Sequence, residues 1–230
     1  MREIVLDTET TGLDPATGHR IVEIGAVELI NHVPSGRTFH AYVNPERDVP
    51  AEACAVHGLS TEFLRDHPCF SAIVEDFESF ILADKLIIHN APFDMGFLNA
   101  ELARVGRAAL QSQRVTCTLA LARQKHAMAP NSLDALCKRY GIDISRRTKH
   151  SALLDAELLA GVYIELIGGR QTSLVLGGTE ALARAAVHAA TARRTRPQPL
   201  ASRLSEEEQR AHAALVASLG EAALWTRWLS

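Results

Sequence analysis

The sequence has no long apolar run and no paired cysteines. None of its apolar stretches approaches the roughly 20 residues that a membrane-spanning helix needs. The N-terminal MREIVLDTET begins with strand-like residues, not with a basic and apolar signal segment. Cys54, Cys69, Cys117 and Cys137 show no paired short spacing, which favours buried reduced thiols over a zinc site or a disulfide framework. We therefore predict a cytoplasmic protein with one main domain.

Positive charge is also scarce. The 230 residues include 24 Lys and Arg against 27 Asp and Glu, a formal net charge of −3. Residues 1–170 hold 17 basic and 22 acidic residues, a net of −5, and residues 171–230 hold 7 and 5, a net of +2. Proteins that hold DNA by phosphate contacts alone are usually basic. If the acidic part handles a polyanion, bound divalent cations would have to supply the positive charge.

Apolar patterns predict strands first, and then helices that alternate with strands. The early strands are rich in β-branched residues and are separated by short turns, which favours an antiparallel meander. The later helix-then-strand order implies a crossover, so we predict an α/β fold with a mixed β-sheet flanked by helices. The predicted elements are strands at Ile4–Leu6, Ile21–Ile30, Thr38–Val43, Lys85–His89 and Val115–Cys117, helices at Phe70–Leu82 and from Pro92 to Gly106, and mostly helical sequence up to Gly168.

The composition changes after Gly168. Between Gly178 and Thr195 the chain is rich in alanine and poor in bulky apolar residues, so it cannot bury enough surface to fold alone. Beyond it, Ser205 followed three residues later by Glu208 is the pattern of a capping box at a helix start. We divide the chain into a main domain at 1–170, a short peptide at 171–176, a flexible linker at 177–199 and a tail at 200–230.

Two carboxylates end the first predicted strand. Because side chains alternate along a strand, Asp7 and Glu9 project from the same face, about 7 Å apart along the chain. They repel each other, and hard divalent cations such as Mg²⁺ or Mn²⁺ need oxygen ligands of this kind. Taken alone, the pair would more simply be two solvated acids at a strand end.

Two further acids accompany this pair. Asp94 falls in the first turn of the helix after the strand Lys85–His89, and Asp155 lies in a later helix with His150 five residues before it. Residues five apart on one helix point about 140° apart, so His150 can face the same site only from the loop before the helix. Four acids around two cations, with a histidine to take a proton from water, are the parts of two-metal phosphodiester hydrolysis.

Three segments carry a family resemblance. VLDTETTGLDP at 5–15, HNAPFD at 89–94 and HSALLD at 150–155 together resemble the DEDDh exonuclease family, the DnaQ-like branch of the ribonuclease H-like fold. The resemblance covers about residues 1–170 and implies removal of 3′-terminal nucleotides with two Mg²⁺ or Mn²⁺ ions. It further implies that Asp7, Glu9 and Asp155 are direct metal ligands, that Asp94 completes the acidic set and that His150 is the general base.

The same resemblance implies which residues bind the DNA 3′ end. Glu52 and His57, in PAEACAVHGLS, match a substrate-contacting loop of the proofreading members, although His57 alone would be an ordinary surface or capping residue. Asn90 is either a substrate contact or a cap between strand and helix. Thr10 and Gly12 would offer backbone amides to the 3′ end or simply form a turn, and Leu13 would wedge between bases. The implied substrate-binding residues are Asp7, Glu9, Thr10, Gly12, Leu13, Glu52, His57, Asn90 and Asp155.

Other polar residues are left outside the predicted site. Ser132 is interpreted as a helix N-cap and Asp134 as a first-turn acid, which accounts for both. The basic loop before His150 contains Arg146, Arg147 and Lys149. We interpret it as solvated, and prefer this to the alternative that its charges draw the substrate toward the histidine.

The tail distinguishes between members of the family. The peptide at 171–176 resembles the segment by which bacterial replication proteins bind the sliding clamp, with Gln171, Leu174, Val175 and Leu176 as contacts; the alternative is an ordinary helix end. The leucine-rich end resembles a polymerase-binding tail of the proofreading subunits of bacterial DNA polymerase III, with Leu224, Trp225 and Trp228 as anchors.

The predicted activity is therefore proofreading at a bacterial replicative polymerase. The implied partners are the DNA 3′ end, the polymerase catalytic subunit, the sliding clamp and a small accessory subunit. Two alternatives stay open: an RNA-trimming exonuclease of the ribonuclease T type, and a protein that acts mainly as a scaffold between clamp and polymerase.

Overall fold

The computed structural model describes residues 1–145, 147, 149–168 and 204–219. Residues 1–168 and the helix at 206–218 belong to separate units and are described separately. The strands are β1 (Arg2–Thr10), β2 (Ile21–Ile30), β3 (Val33–Tyr42), β4 (Lys85–Ile88) and β5 (Val115–Cys117). The helices are α1 (Ala51–His57), α2 (Thr61–Arg65), α3 (Phe70–Ile81), α4 (Ala91–Arg104), α5 (Thr118–Lys125), α6 (Leu133–Tyr140), α7 (Ala152–Leu166) and α8 (Glu206–Ser218).

The five strands form one mixed sheet in the order β3-β2-β1-β4-β5. The pairs β1–β2 and β2–β3 are antiparallel, whereas β1–β4 and β4–β5 are parallel. This confirms the predicted meander followed by crossovers. Because β1, β4 and β5 run in the same direction, the segments that follow them emerge at one edge of the sheet, where ligand sites of α/β proteins lie.

The alternation of β1 assigns its side chains to two different layers. Ile4 and Leu6 belong to the core cluster that includes α3 and α4, and Val5 belongs to the cluster that includes α7. Asp7 and Glu9 have the same parity as Val5, so they project toward the α7 layer. The apolar strand thus delivers two acids to the start of α7.

A glycine lets α7 approach the sheet. A Cβ on Gly25 would lie 2.1 Å from the backbone nitrogen of Leu153 and 2.2 Å from the carbonyl carbon of Ala152. Gly25 is also the cross-strand partner of Asp7. Only a residue without a side chain fits here, and the close packing brings the first turn of α7 over the end of β1.

Two predicted segments differ from the structure. The third strand is Val33–Tyr42, not Thr38–Val43, because Asn31 and His32 have φ values of 51° and 65° and make a tight hairpin turn directly after β2. PAEACAVHGLS was predicted as a loop, but its alanine-rich part forms α1.

The tail unit shows the predicted capping box. The Ser205 hydroxyl accepts a hydrogen bond from the Glu208 backbone nitrogen, and the Glu208 side chain accepts one from the Ser205 nitrogen. Among the described residues, no helix is long and apolar enough to cross a membrane. The predicted clamp peptide (171–176), linker (177–199) and anchors Leu224, Trp225 and Trp228 lie outside the described residues.

Replacing Gly25 by alanine should push α7 away from the sheet. We expect Gly25→Ala to lower the free energy of unfolding by about 2 kcal/mol or more, because the new methyl group meets backbone atoms that cannot rotate away. Urea denaturation followed by circular dichroism measures this. Gly96→Ala in α4 is the matched control, since its Cβ would approach only Pro15, at 3.9 Å; equal losses in both variants would contradict the proposed close approach.

Candidate active site

The carboxyl edge of the sheet opens into a pocket of about 860 Å³. All five residues predicted for the catalytic centre line it, although they come from β1, α4, α7 and the loop before α7. Asn90 lines it as well. The five predicted catalytic residues brought together are Asp7, Glu9, Asp94, His150 and Asp155.

Asp94 is held in the pocket by β1. Its Oδ1 accepts hydrogen bonds from the backbone nitrogen of Thr8 at 3.1 Å and from the Thr8 hydroxyl at 2.7 Å. Asp94 lies in the first turn of α4, where the helix dipole favours a negative charge. The preceding Asn90 occupies the N-cap position of α4 with φ 60°, as the capping alternative expected, but its side chain makes no cap hydrogen bond.

His150 lies on the loop before α7, as the five-residue spacing required. Its backbone nitrogen donates to the Val56 carbonyl at 3.3 Å, which ties this loop to α1. The imidazole is 47% exposed, and its Nδ1 lies 3.2 Å from Oδ2 of Asp155. His150 therefore combines a fixed backbone with a side chain at the mouth of the pocket.

The donor set fits divalent cations. Ligand atoms of Glu9, His150 and Asp155 all lie within 4.8 Å of one another. Asp155 is 3% exposed, and the guanidinium of Arg147 is the cation that pairs with its two oxygens in this structure, at 2.5 and 2.6 Å. Grouped carboxylate oxygens are the donors that Mg²⁺ and Mn²⁺ prefer.

Burial and mutual repulsion shift the carboxylates strongly. Burial, with the charges of Asp94, Glu9 and Asp155, raises the pKa of Asp7 well above its ordinary value. Burial, followed by the charges of Asp155 and other acids, raises the pKa of Glu9 to about 8. Burial raises the pKa of Asp94 to about 7, although its hydrogen bonds from Thr8 oppose the shift. A cation that binds the cluster and compensates its charge would therefore displace protons from these carboxyl groups into solvent.

Arg147 is a site residue that the sequence did not reveal. Its Nη2 donates to Oδ2 of Asp155 at 2.6 Å and to Nδ1 of His150 at 2.7 Å, and its Nη1 contacts Asp134. The interpretation as solvated loop is thus wrong for Arg147, which is 8% exposed, whereas Lys149 stays on the surface and donates to the Ala55 carbonyl.

The surroundings of α6 were only partly predicted. Ser132 does cap α6, since its hydroxyl accepts from the Ala135 nitrogen at 3.3 Å. Asp134 was left outside the site, yet it forms the ion pair with Arg147. The available signal for Arg147 was its short spacing from His150, in a loop that must reach the site. Arg146 lies outside the described residues.

A second pocket of about 470 Å³ adjoins the first and shares Glu9 with it. His57 is buried at its base, with Nδ1 accepting from the Leu59 nitrogen at 3.0 Å, and Leu13 is 85% exposed at its rim. The Thr10 hydroxyl donates to the Gly12 carbonyl at 2.6 Å and shapes the turn between them. The predicted substrate residues that line this pocket are Glu9, Thr10, Gly12, Leu13, Glu52 and His57.

Without divalent cations the protein should lose stability as pH rises. The pKa values of Glu9, about 8, and Asp94, about 7, are raised in the folded state, so between their unfolded and folded values the folded chain binds more protons than the unfolded chain. The free energy of unfolding is then greatest near the pKa values that Glu9 and Asp94 have in the unfolded chain, and it falls as the pH rises through 7 to 8. Because one pKa unit corresponds to about 1.4 kcal/mol, we expect a loss of up to about 5 kcal/mol in chelator between about pH 5.5 and about pH 8.5.

Thermal and urea unfolding at these two pH values measure the loss. Asp94→Asn keeps an oxygen for Thr8 but removes one charge, so it should reduce the slope and raise stability at the higher pH. Added Mg²⁺ should also flatten the slope. An unchanged slope in Asp94→Asn would contradict the assignment of the loss to this cluster.

Known proteins resemble this chain over most of its length. A family model of exonucleases, RNase_T, matches residues 4–163. The DNA polymerase III subunit epsilon of Rickettsia felis is 56% identical over 176 residues, covering 75% of this chain and 77% of that protein. Its namesake from Escherichia coli K12 is 48% identical over 180 residues, with 75% and 74% coverage. The Salmonella typhimurium protein of the same name is 45% identical over 239 aligned positions and covers 97% of both chains, so that alignment extends through the tail.

Solved structures share the fold. Exonuclease X in complex with 5′ overhanging duplex DNA has a TM-score of 0.57 and 24% identity, covering 73% of this chain and 92% of that one. The nuclease domain of 3′hExo, a DEDDh family member bound to rAMP, has a TM-score of 0.63 and 17% identity, with the same coverage. These likenesses confirm the predicted ribonuclease H-like fold class.

Proposed function

The chain belongs to the RNase_T exonuclease family and is a metal-dependent 3′→5′ exonuclease, and we propose that it proofreads DNA made by a bacterial replicative polymerase. The observation that carries the proposal is the convergence of four carboxylates and one histidine in a single pocket. Its relatives named DNA polymerase III subunit epsilon support the polymerase context.

Asp7, Glu9, Asp94 and Asp155 would hold two divalent cations, Mg²⁺ or Mn²⁺. Bound there, the cations would lower the pKa of a bound water and offset negative charge that develops on the phosphodiester. The protein keeps these oxygens fixed, because Asp94 is bonded to β1 and Asp155 is buried in the first turn of α7. Fixed ligands avoid reorganisation during the reaction.

His150 would be the general base. Its Nδ1 faces Asp155, so Nε2 is the nitrogen left to accept a proton from the attacking water. The exposed imidazole can turn about its side-chain bonds while the loop stays tied to Val56. A base of this kind orients the water and then releases the proton to solvent.

The second pocket would receive the 3′-terminal nucleotide. It adjoins the carboxylates through Glu9, so a nucleotide seated there has its phosphodiester beside the proposed metal ligands. Glu52 and His57 offer polar atoms to the terminal sugar, and the exposed Leu13 offers an apolar edge to a base. Thr10 and Gly12 would supply backbone contacts, and Asn90 would contact the strand in the first pocket.

Removing one proposed metal ligand should abolish hydrolysis. We expect Asp7→Asn and Asp155→Asn each to slow degradation of a 5′-labelled primer at least about a thousandfold in Mg²⁺, because both remove ligand charge from the reacting centre. Asp76→Asn, at an exposed carboxylate of α3, should retain normal rates. Folding of each variant is checked by circular dichroism.

The same assay tests the substrate. A primer with a mismatched 3′ end should be shortened faster than a paired primer, and both faster than RNA of the same sequence, with no cleavage in EDTA. Faster cleavage of RNA would favour the RNA-trimming alternative. Full activity in Asp7→Asn would contradict the metal site, and inactivity of the folded wild-type chain would favour the scaffold.

The C-terminal part would tether the enzyme to a replicase in the cytoplasm. Linking two binding elements raises the local concentration of the nuclease at a primer end without new contacts. We propose the polymerase III catalytic (alpha) subunit, the sliding clamp (beta) and a small theta-like accessory subunit as partners. The proposed clamp contacts are Gln171, Leu174, Val175 and Leu176, and the proposed polymerase contacts are Leu224, Trp225 and Trp228.

Binding and hydrolysis should be separable. Changing Gln171, Leu174 and Leu176 together to alanine should weaken clamp binding about tenfold or more, because apolar anchors carry most of the affinity of short peptides. Changing Thr172 and Ser173 to alanine is the matched control. Deleting 200–230 should abolish polymerase binding in the same surface plasmon resonance format. Loss of oligonucleotide hydrolysis in either variant would contradict this modular organisation.

A further inference from the structure

The guanidinium of Arg147 contacts two aspartates, one buried and one exposed. On one side Nη2 donates to Oδ2 of Asp155, which is 3% exposed, and on the other Nη1 contacts Asp134, which is 57% exposed. Asp155 is a proposed metal ligand, whereas Asp134 lies on α6 and lines a separate pocket with Arg147 and His150. The arginine thus has one partner inside the catalytic centre and one at its edge.

Arg147 and a divalent cation compete for the same atoms. Both arginine nitrogens nearest to Asp155 lie within 2.6 Å of its two oxygens, so a cation liganded by Asp155 has to displace the guanidinium. A guanidinium is always protonated and cannot lose its charge to make room. It can only move to another acceptor, and Asp134 already contacts it.

The same contact controls His150. Arg147 Nη2 donates to Nδ1 of His150 at 2.7 Å, so Nδ1 must offer its lone pair and the neutral ring carries its proton on Nε2. An imidazole in that form has no free Nε2 lone pair for the proton of a water. Moving Arg147 to Asp134 therefore frees a proposed metal ligand and a proposed base at once.

We propose that Arg147 is a positioning residue that exchanges with divalent cations at Asp155, and that Asp134 is the acceptor that holds it after the exchange. The proposal rests on the proposed metal site. Arg147 raises the cation concentration needed to fill the site, and Asp134 lowers it. The two residues thereby set the affinity for metal without being metal ligands.

Direct Mn²⁺ binding tests this, with free Mn²⁺ measured by electron paramagnetic resonance on the full chain. We expect Arg147→Gln to bind Mn²⁺ about five- to tenfold more tightly, because a partly buried ion pair is no longer broken. Asp134→Asn should bind about threefold more weakly, because the displaced guanidinium has lost its acceptor. Lys149→Gln removes the same charge two residues away and should change affinity less than about twofold.

The double variant separates exchange from simple charge effects. If Asp134 acts through Arg147, Asp134→Asn has no effect on Mn²⁺ affinity in the Arg147→Gln background. A persistent threefold loss there would overturn the proposal, as would unchanged or weaker binding in Arg147→Gln alone. If Arg147→Gln fails to fold, Asp134→Asn decides alone, and unchanged or tighter binding overturns the proposal. Absence of Mn²⁺ binding to the wild-type chain would instead refute the proposed metal site.

Discussion

Repulsion among buried carboxylates is the constraint on which the rest of this structure depends. Asp7 and Glu9 leave β1 on one face, and Asp94 and Asp155 enter the same pocket from two helices. Burial and mutual repulsion raise the pKa of Asp7 and Glu9, which means that charging the cluster opposes folding unless cations compensate. The fold must hold these groups together against their own electrostatics, and it does so with rigid elements on both faces of the sheet.

The two faces of the sheet hold the carboxylates in place by different interactions. On one face Thr8 fixes Asp94 through two hydrogen bonds, and on the other Gly25 lets the backbone of α7 lie against β2. Asp94 and Asp155 both occupy first turns of helices, where the dipole lowers the cost of a negative charge. The close-packed apolar cores on the two faces of the sheet therefore fix the positions of these carboxylates relative to one another.

The predictable part of the site was the part encoded locally. Alternation placed Asp7 and Glu9 on one face, and a five-residue spacing placed His150 on a loop, because both follow from the geometry of a single element. The ion pair between Arg147 and Asp134 depends on how a loop packs beside α6, and no local period encodes that. Gly25 did carry a signal, since a glycine inside a strand often marks a close backbone approach, but its partner is 127 positions away at Ala152.

The proposed cations would reconcile the acidic charge of the chain with binding of a polyanion. The pocket is lined by four carboxylates and by the two arginines Arg123 and Arg147, so when all four carboxylates are ionised and the histidines are neutral, two negative charges are in excess. The proposed pair of divalent cations adds four positive charges and turns that excess into two positive charges. The sign of the local potential then reverses, which draws a phosphodiester toward the carboxylates that would otherwise repel it. Metal binding would accordingly govern substrate capture as well as hydrolysis, so an arginine that competes with the cations acts on both.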